Sequence, residues 1–242
     1  MLRTILWFIY FWLHLLAIQP NLLRVKRLEK QGKTTEHDRL TNQTAKKWAR
    51  SLVKFAGVTV ATTGEENIPP EGSVLFVSNH QGNFDIPILL GYIDKPKSFI
   101  AKIELLKLPL IRTWMIHLKC VFLDRSDIRQ SLKIINQAAG YLKQGYSMVI
   151  FPEGTRSKNA ALGEFKPGSL KLAFKAGVPI VPIAIQGSYK IMEQNGFIIK
   201  PAHVNITIFK PIPTAGLTKE QATELPERVR EIIEQGLSLS CK

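Results

Sequence analysis

The sequence predicts an α/β domain with a mixed, largely parallel sheet flanked by helices. An N-terminal hydrophobic and amphipathic helical segment is expected to dock this domain on a membrane. After residue 57, seven short runs rich in Val, Ile or Phe are bounded by Gly, Pro or Asn, as β-strands are. Helical stretches lie between most of these runs, and strands alternating with helices indicate an α/β fold. The length of 242 residues suits one domain of ordinary size.

The elements can be placed along the chain by their apolar periodicity. Helices are predicted near 84–92, 127–144 and 167–176. Thr218 and Gln221 form a capping box that opens a C-terminal helical region. We expect Pro226 to break that region and Gly236 to end it. The strands are predicted at about 58–62, 73–78, 97–101, 118–123, 147–151, 180–185 and 203–209.

The N-terminus carries an apolar run over residues 5–18, interrupted only by His14. As a helix this run reaches about 21 Å, whereas the hydrocarbon core of a bilayer is roughly 30 Å thick. It is therefore short for a clean span, and a retained anchor is the favoured interpretation. A cleaved signal peptide is the alternative, but the run holds two tryptophans and lacks a small-x-small cleavage site.

A basic segment follows the apolar run and suggests which partner the chain meets. Residues 24–54 hold ten Lys or Arg against three acidic residues, half of the net charge of +14. Such a segment suits nucleic acid or an anionic membrane, and its apolar neighbour favours the membrane. Residues 40–56 have an amphipathic pattern, which predicts a helix that lies in the headgroup region or packs on the domain. We divide the chain into a membrane-anchoring segment, 1–56, and an α/β domain, 57–242.

Several classes of site are disfavoured by what the sequence lacks. Cys120 and Cys241 form no CxxC pair, which disfavours a disulfide framework and a structural zinc site and makes a reducing compartment the default. The chain has no G-x-S-x-G elbow, no Walker A loop, no G-x-G-x-x-G and no HExxH. A basic nucleic-acid-binding module is the alternative from another functional class. Only the charge supports it, and that charge lies beside an apolar segment.

A candidate catalytic pair, His80 and Asp85, follows the run at 73–78. On a continuous helix these side chains would point about 140° apart. If the chain instead turns through Gly82 and a helix begins near Asn83, Asp85 lies in the first turn and can face His80. A carboxylate on one ring nitrogen fixes the tautomer and leaves the other nitrogen free as a general base. The spacing alone is a weak signal, because it also arises by chance.

A second group of candidate residues follows the run at 147–151. Glu153, Gly154, Thr155 and Arg156 place a carboxylate and a guanidinium on a glycine turn at the carboxyl end of a strand. An arginine there is well placed to bind a phosphate bidentately. Two further residues are candidate anion ligands: Arg125, which follows the run at 118–123 at the equivalent edge, and Lys166, where 166–168 is expected to open a helix.

These strings resemble the four sequence blocks of the glycerolipid acyltransferases, in particular the bacterial 1-acyl-sn-glycerol-3-phosphate acyltransferases. The resemblance covers roughly residues 60–212, and all four blocks occur in order. Residues 79–85 match the catalytic block and 151–157 the acceptor-binding block; together these two are highly specific. The second block, 121–125, ends in the arginine that the family assigns to substrate phosphate, and 181–184 matches an apolar fourth block.

The resemblance implies a reaction, with His80 and Asp85 as catalytic residues. His80 would deprotonate the sn-2 hydroxyl of lysophosphatidic acid, which then attacks the thioester of an acyl-CoA or acyl-carrier protein and gives phosphatidic acid. Backbone N–H groups after Gly82 are expected to bind the oxyanion. Glu153 would hold acceptor oxygens, while Arg125 and Arg156 take the phosphate.

The resemblance implies no metal and no bound cofactor, and the expected partners are the two substrates. The basic segment after the apolar run adds an anionic membrane surface as a partner. If that run spans the bilayer, the basic flank places the site at the cytoplasmic face of the cell membrane. Glycerol 3-phosphate or another lysophospholipid stays open as the acceptor.

Overall fold

The computed structural model describes residues 1–124, 128–166 and 168–239. These residues form one seven-stranded sheet with the strand order β1-β7-β6-β2-β5-β3-β4. Each strand lies where the sequence predicts one, with ends that differ by at most a few residues. The strands are β1 Thr59–Thr63, β2 Leu75–Ser78, β3 Lys97–Lys102, β4 Val121–Leu123, β5 Ser147–Ile150, β6 Ile180–Gln186 and β7 His203–Ile208.

The pairing of the strands confirms a mixed, largely parallel sheet. β2 pairs in parallel with β5 and β6, and β3 pairs in parallel with β5 and β4. β6 and β7 are antiparallel, and β1 is parallel to β7. Val77 of β2 pairs with Ile150 of β5, so the carboxyl ends of these two strands lie side by side. The loops that follow them, 79–85 and 151–157, therefore meet at one edge of the sheet.

Helices cover both faces of the sheet, as predicted. α4 and α6 confirm the helices expected near 84–92 and 127–144. α5 has no counterpart among the predicted elements, although its proline at the first helical position is a usual start. The helices of the described residues are α1 Leu2–Ala17, α2 Gln19–Lys30, α3 Thr34–Phe55, α4 Asp85–Tyr92, α5 Pro109–His117, α6 Ile128–Lys143, α7 Lys171–Ala176 and α8 Lys219–Leu239.

The helix predicted at 167–176 begins later than expected. A turn over 168–170 precedes α7, and Gly168 has a φ of 77°, which a right-handed helix does not allow. Pro167 lies outside the described residues. The prediction that 166–168 opens a helix is therefore wrong, and Lys166 does not lie at a helix start where free N–H groups would favour an anion.

The C-terminal helix α8 begins at the predicted capping box. Gln221 N–H donates to Thr218 Oγ1 at 3.3 Å, and Thr218 N–H donates to Gln221 Oε1 at 3.0 Å. The expectation that Pro226 breaks the helix is wrong, because α8 continues through it. A proline inside a helix costs about 3 kcal/mol, whereas each large apolar side chain that becomes buried contributes about 1.5–3 kcal/mol. Three such side chains of α8 are buried in the core: Leu225, Val229 and Ile233.

Gly236 does not end α8 either, so this expectation is also wrong. A Cβ at this position would lie 2.5 Å from Phe209 Cζ and 2.9 Å from Ala184 Cβ. The glycine is needed because the helix approaches β6 and the chain after β7 closely. A close approach of two elements and a helix end both favour glycine, and the sequence does not distinguish the two.

The core has two halves, one on each face of the sheet. Alternate residues of β2 show the division: Phe76 packs with α3 and α4, whereas Leu75 packs with α6, α7 and α8. α3 belongs to the first half, and Ala45, Ala49 and Leu52 on its apolar face are buried. Of the two alternatives for residues 40–56, the structure therefore adopts packing on the domain.

α1 leaves an apolar surface outside the core. Trp7 is buried and donates its indole N–H to the Leu52 carbonyl at 2.9 Å, which fixes α1 on α3. Within the described residues one helical run, Leu2–Lys30, is long and apolar enough to cross a membrane, and 17% of its most apolar window is buried. This apolar helix is consistent with membrane association. The exposed apolar side chains of α1 are Leu2, Ile5, Leu6, Phe8, Ile9, Trp12, Leu13 and Leu16.

Lys97, the first residue of β3, predicts how the free energy of unfolding depends on pH. Its ammonium is buried and donates to the Ile93 carbonyl at 2.8 Å, and burial lowers its pKa from 10.5 to about 7. At pH values between the folded pKa of about 7 and the unfolded pKa of 10.5, the unfolded chain binds more protons than the folded one. The free energy of unfolding therefore rises with pH in this window, by up to about 1.4 kcal/mol per pH unit. We expect Lys97→Met to remove this rise, and exposed Lys133→Met to keep it, in urea unfolding measured from about pH 7 to about pH 10. Equal slopes in the wild type and Lys97→Met would contradict this.

Candidate active site

His80 and Asp85 meet in the geometry that the turn predicts. Asp85 is the first residue of α4, and its Oδ2 lies 2.7 Å from His80 Nδ1. The Asp85 side chain is fully buried, while 17% of the His80 side chain is exposed. The His80 ring stacks on Phe151, with ring centres 4.0 Å apart. With Nδ1 on the carboxylate, Nε2 is the nitrogen left for a substrate proton.

Four successive backbone N–H groups of the loop after β2 donate to three buried carboxylates. His80 N–H donates to Glu153 Oε1 at 2.6 Å. Gln81 and Gly82 N–H donate to Asp85 Oδ2 at 2.7 and 2.9 Å. Asn83 N–H donates to Glu193 Oε1 at 2.7 Å. Asn83 N–H, one of the donors expected to bind the oxyanion, has a carboxylate acceptor in this structure, so the oxyanion donors stay a prediction.

Asp85 is further held by residues that follow β6. Ser188 Oγ donates to Asp85 Oδ1 and lies 3.3 Å from Gln81 Oε1, which also accepts from Gly187 N–H at 2.9 Å. Asn79 exchanges two hydrogen bonds of 2.8 Å with the backbone of Ile185 in β6. The loop is thus anchored at Asn79 to β6 and at Asp85 to the turn that directly follows β6, so the end of this strand fixes the His80–Asp85 geometry.

Glu153 joins the two predicted motifs. Its Oε1 accepts from His80 N–H, and its Oε2 accepts from Gly163 N–H at 2.9 Å. Burial raises the pKa of this carboxyl, and the two backbone donors oppose that change. Glu153 is 5% exposed. In this structure it holds the loop of His80; its predicted contact with acceptor oxygens stays a prediction.

Arg156 lies beside the loop that follows β2 and is paired with Glu193, a residue that the sequence did not predict for the site. Its Nη1 donates to Asn83 Oδ1 and lies 3.6 Å from Glu193 Oε1. The Glu193 side chain is 1% exposed, and burial raises its pKa. A Cβ on Gly82 would lie 2.4 Å from Glu193 Oε2, which explains the glycine. No motif contains Glu193, which lies 110 residues from Asn83 in the chain.

The other predicted ligands lie around the same loop. Gly154 has a φ of 72°, and a Cβ there would lie 2.8 Å from Lys166 Cε, so the Lys166 side chain passes over this turn. Lys166 and Thr155 are exposed. Ser157 N–H donates to the His80 carbonyl at 2.8 Å and joins the two loops. Arg125 lies outside the described residues.

A large apolar cavity of about 1110 Å³ opens at His80. Polar side chains from both motifs line one part of it, among them Asn83, Arg156 and Lys166. Apolar side chains line the rest, and they come from β3, α5, α6 and the N-terminal helices. Examples are Leu15, Trp48, Phe99, Trp114 and Ile135. The site therefore combines a base, cationic groups and room for a long apolar chain.

Comparison with known proteins identifies the family. The model of the acyltransferase family matches residues 59–186, more than half of the chain. This chain belongs to the acyltransferase family. The matched range contains His80, Asp85, Glu153 and Arg156, whereas Glu193 lies beyond it.

Curated members of the acyltransferase family resemble the chain over part of their length. A probable 1-acyl-sn-glycerol-3-phosphate acyltransferase of Mycoplasma pneumoniae is 42% identical over 146 residues, 57% of this chain and 53% of that protein. A chloroplastic 1-acyl-sn-glycerol-3-phosphate acyltransferase of Arabidopsis thaliana is 38% identical over 69% of this chain and 47% of its own length. The chain thus spans about half the length of these relatives.

A solved acyltransferase structure resembles the whole chain. The crystal structure of the 1-acyl-sn-glycerophosphate acyltransferase PlsC from Thermotoga maritima has a TM-score of 0.84 and 28% sequence identity. The match covers 100% of this chain and 98% of that one. The likeness therefore extends to the N-terminal helices, which the family model does not cover.

Proposed function

We propose that this acyltransferase moves a fatty acyl group from an acyl thioester to the sn-2 hydroxyl of 1-acyl-sn-glycerol 3-phosphate, giving phosphatidic acid. The thioester is an acyl-CoA or an acyl-carrier protein. The observation that carries the proposal is the oriented His80–Asp85 pair at the wall of a large apolar cavity, with Arg156 and Lys166 beside it. The names of the relatives support the same acceptor.

The reaction needs one general base and no covalent intermediate on the protein. His80 Nε2 takes the proton of the acceptor hydroxyl while Asp85 holds the Nδ1–H and stabilises the imidazolium. The hydroxyl oxygen attacks the thioester carbonyl carbon and forms a C–O bond. The C–S bond then breaks, and the thiolate leaves with the proton carried by His80. The products are the ester and a free thiol, so atoms and charge balance.

Two cationic side chains of the described residues suit the acceptor phosphate. Arg156 is held beside the catalytic loop by Asn83 and Glu193, and its guanidinium can bind phosphate bidentately. Lys166 is exposed over the turn at Gly154 and can add a second positive charge. Arg125, outside the described residues, is proposed for the same phosphate on the family resemblance alone.

We expect Arg156→Ala to raise the KM for lysophosphatidic acid by about 10- to 100-fold, with a smaller change in kcat. A hydrogen bond to a charged group contributes about 1.5–3 kcal/mol, and this contact is made by ground state and transition state alike. Steady-state kinetics with lysophosphatidic acid as the varied substrate measure the effect. Arg228→Ala, an exposed position on α8, is the matched control. An unchanged KM would contradict the phosphate role of Arg156.

The acceptor is tested by offering lysophosphatidic acid and glycerol 3-phosphate in parallel to the detergent-solubilised full chain with labelled acyl-CoA or acyl-carrier protein. The proposal expects labelled phosphatidic acid from the lysolipid and no product from glycerol 3-phosphate. Acylation of glycerol 3-phosphate alone would show that glycerol 3-phosphate is the acceptor, and the proposed general-base mechanism would still apply. No transfer to either acceptor would overturn the proposed function.

We also propose that the N-terminal helices place this site on the cytoplasmic face of an anionic membrane. The exposed apolar side chains of α1 support insertion, and the exposed cations Arg24, Lys26 and Arg27 of α2 support attraction to anionic lipids. The basic flank also favours the cytoplasmic side. Removing residues 1–56 would strip α3 from the core, so point substitutions give the sharper test.

We expect the double variant Ile9→Ser/Leu13→Ser to lose most of its binding to phosphatidylglycerol-containing vesicles. Both side chains are about half exposed on α1, and each apolar side chain moved out of water contributes about 1.5–3 kcal/mol. Cosedimentation measures the bound fraction, and Phe197→Ser, an exposed apolar position elsewhere, is the control. Equal cosedimentation of the double variant and the wild type would show that α1 is not the docking surface.

A further inference from the structure

Two buried histidines meet between the N-terminal helices and α5, outside the catalytic site. His37 of α3 is 3% exposed, and His117, the last residue of α5, is 7% exposed. His37 Nε2 lies 3.1 Å from His117 Nδ1. Glu29 of α2 completes the group, with its Oε2 3.9 Å from His117 Nδ1. Three ligand-type atoms from three helices thus lie within 4.8 Å of one another.

The residue next to His37 fixes how its imidazole faces this cluster. Asp38 Oδ1 lies 2.8 Å from His37 Nδ1, so the carboxylate accepts a hydrogen bond from the N–H of that nitrogen. The lone pair of His37 then lies on Nε2, the atom that faces His117 and Glu29. Tyr146 donates its hydroxyl to the other oxygen of Asp38 at 2.8 Å and holds the carboxylate in place. Metal-binding histidines are oriented by carboxylates in this way.

The second histidine faces both other members of the cluster. His117 is buried, and its Nδ1 lies 3.1 Å from His37 Nε2 and 3.9 Å from Glu29 Oε2. Lys26 and Lys119 lie near enough to act on His117 electrostatically, and their charges disfavour a cation nearby. The carboxylates of Glu29 and Asp38 offset these charges.

The separations of the three atoms suit a small tetrahedral ion. With metal–nitrogen bonds of about 2.0–2.1 Å, two ligand atoms of a tetrahedral zinc site lie about 3.3 Å apart. The two imidazole nitrogens lie 3.1 Å apart, close to this value. The carboxylate oxygen is 3.9 Å away and must approach further, which is possible because 55% of the Glu29 side chain is exposed.

We propose that Glu29, His37 and His117 bind one divalent transition-metal ion, with zinc the best fit and a water molecule in the fourth position. Imidazole and carboxylate ligands in this number suit zinc, whereas magnesium and calcium prefer oxygen alone. The ion would join α2, α3 and α5. Its role is structural, because the site shares no residue with the His80–Asp85 pair.

A metal ion on His117 would also affect the cavity, because α5 forms part of the cavity wall. Trp114, one turn before His117, lines the cavity and packs against Leu15, Leu22 and Val25 of the N-terminal helices. A metal on His117 would therefore fix the wall between the membrane-docking helices and the catalytic domain. The lack of a CxxC pair led the sequence analysis to disfavour a structural zinc site. Such spacing rules do not detect this cluster, because its residues lie up to 88 positions apart in the chain.

The test is calorimetric titration of zinc chloride into the full-length, detergent-solubilised chain after chelator treatment. We expect one ion per chain. His37→Gln and His117→Asn should each weaken binding by more than about 100-fold, because second-shell partners alone are worth about 10–100-fold. Asp38→Asn should fall within that second-shell range. His203→Gln, an exposed histidine on β7, is the control and should bind as the wild type does.

His117→Asn also distinguishes a metal site from a plain hydrogen bond between His37 and His117. An Asn Nδ2 lies near the place of His Nδ1 and can still donate to His37 Nε2, so the buried polar contact survives while the ligand is lost. We expect zinc to raise the melting temperature of the wild type but not of this variant. Absence of stoichiometric zinc binding, or equal binding by the wild type and the His37→Gln/His117→Asn double variant, would overturn the proposal. Neither readout depends on acyl transfer, so the proposed function is tested separately.

Discussion

Replacing His80 by alanine is expected to lower kcat for acyl transfer by about 10²- to 10⁴-fold, the range that general bases contribute. The acceptor hydroxyl has a high pKa, and among the described residues of the site no other base is oriented toward the cavity by a buried carboxylate. The fold should survive, because the His80 side chain is partly exposed and its backbone N–H still donates to Glu153. Labelled acyl transfer to lysophosphatidic acid measures the loss.

The matched control is His203→Ala, an exposed histidine on β7 that should leave the rate unchanged. Binding of the substrates to His80→Ala should persist, since the cavity and the cationic groups are untouched. A variant that transfers acyl groups at a tenth of the wild-type rate or faster would show that His80 is a structural residue. The mechanism given above would then be wrong.

The sequence predicted those parts of the molecule whose signals are local. Each strand has its own apolar run and flanking turn residues, and the turn at Gly82 was enough to place Asp85 against His80. His80 and Glu153 were each predicted to follow a strand, and the pairing of Val77 with Ile150 brings the carboxyl ends of these two strands side by side. These features depend on periodicity and topology, which single sequences carry well.

The residues that hold the catalytic loop from a distance were not predictable in the same way. Glu193 lies 110 positions from Asn83 and Ser188 lies 103 positions from Asp85, and neither belongs to a recognisable motif. Similarly, nothing local shows that α8 continues through Pro226, since the burial that outweighs the proline comes from the sheet beneath. Contacts between distant segments decided each of these points.

Three carboxylates hold the loop after β2, which has no helix or strand of its own. Glu153, Asp85 and Glu193 accept from successive backbone N–H groups of residues 80–83, which a strand or helix would otherwise satisfy. Buried backbone donors without partners are costly, so each acid stabilises the loop by satisfying them. Asp85 therefore contacts both the backbone of the loop and the ring of His80, and we propose a separate role for each contact.

These two roles can be separated by Asp85→Asn, for which we expect kcat to fall by about 10²- to 10⁴-fold while the fold is kept. The asparagine oxygen can still accept from Gln81 and Gly82 N–H, and its amide can donate to Ser188 Oγ. The negative charge is lost, so the imidazolium that forms during proton removal is no longer stabilised. Thermal unfolding and acyl transfer are measured on the same preparation.

The control for charge removal is Asp94→Asn, because this exposed aspartate pairs with Lys46 on the surface, where ion pairs contribute little. Loss of activity with a retained melting temperature in Asp85→Asn would assign Asp85 to the orientation and charge stabilisation of His80. If activity and melting temperature fell together in proportion, the aspartate would act mainly as a backbone acceptor. A rate within tenfold of the wild type would contradict the role of the pair, since it would mean that His80 works without a carboxylate on Nδ1.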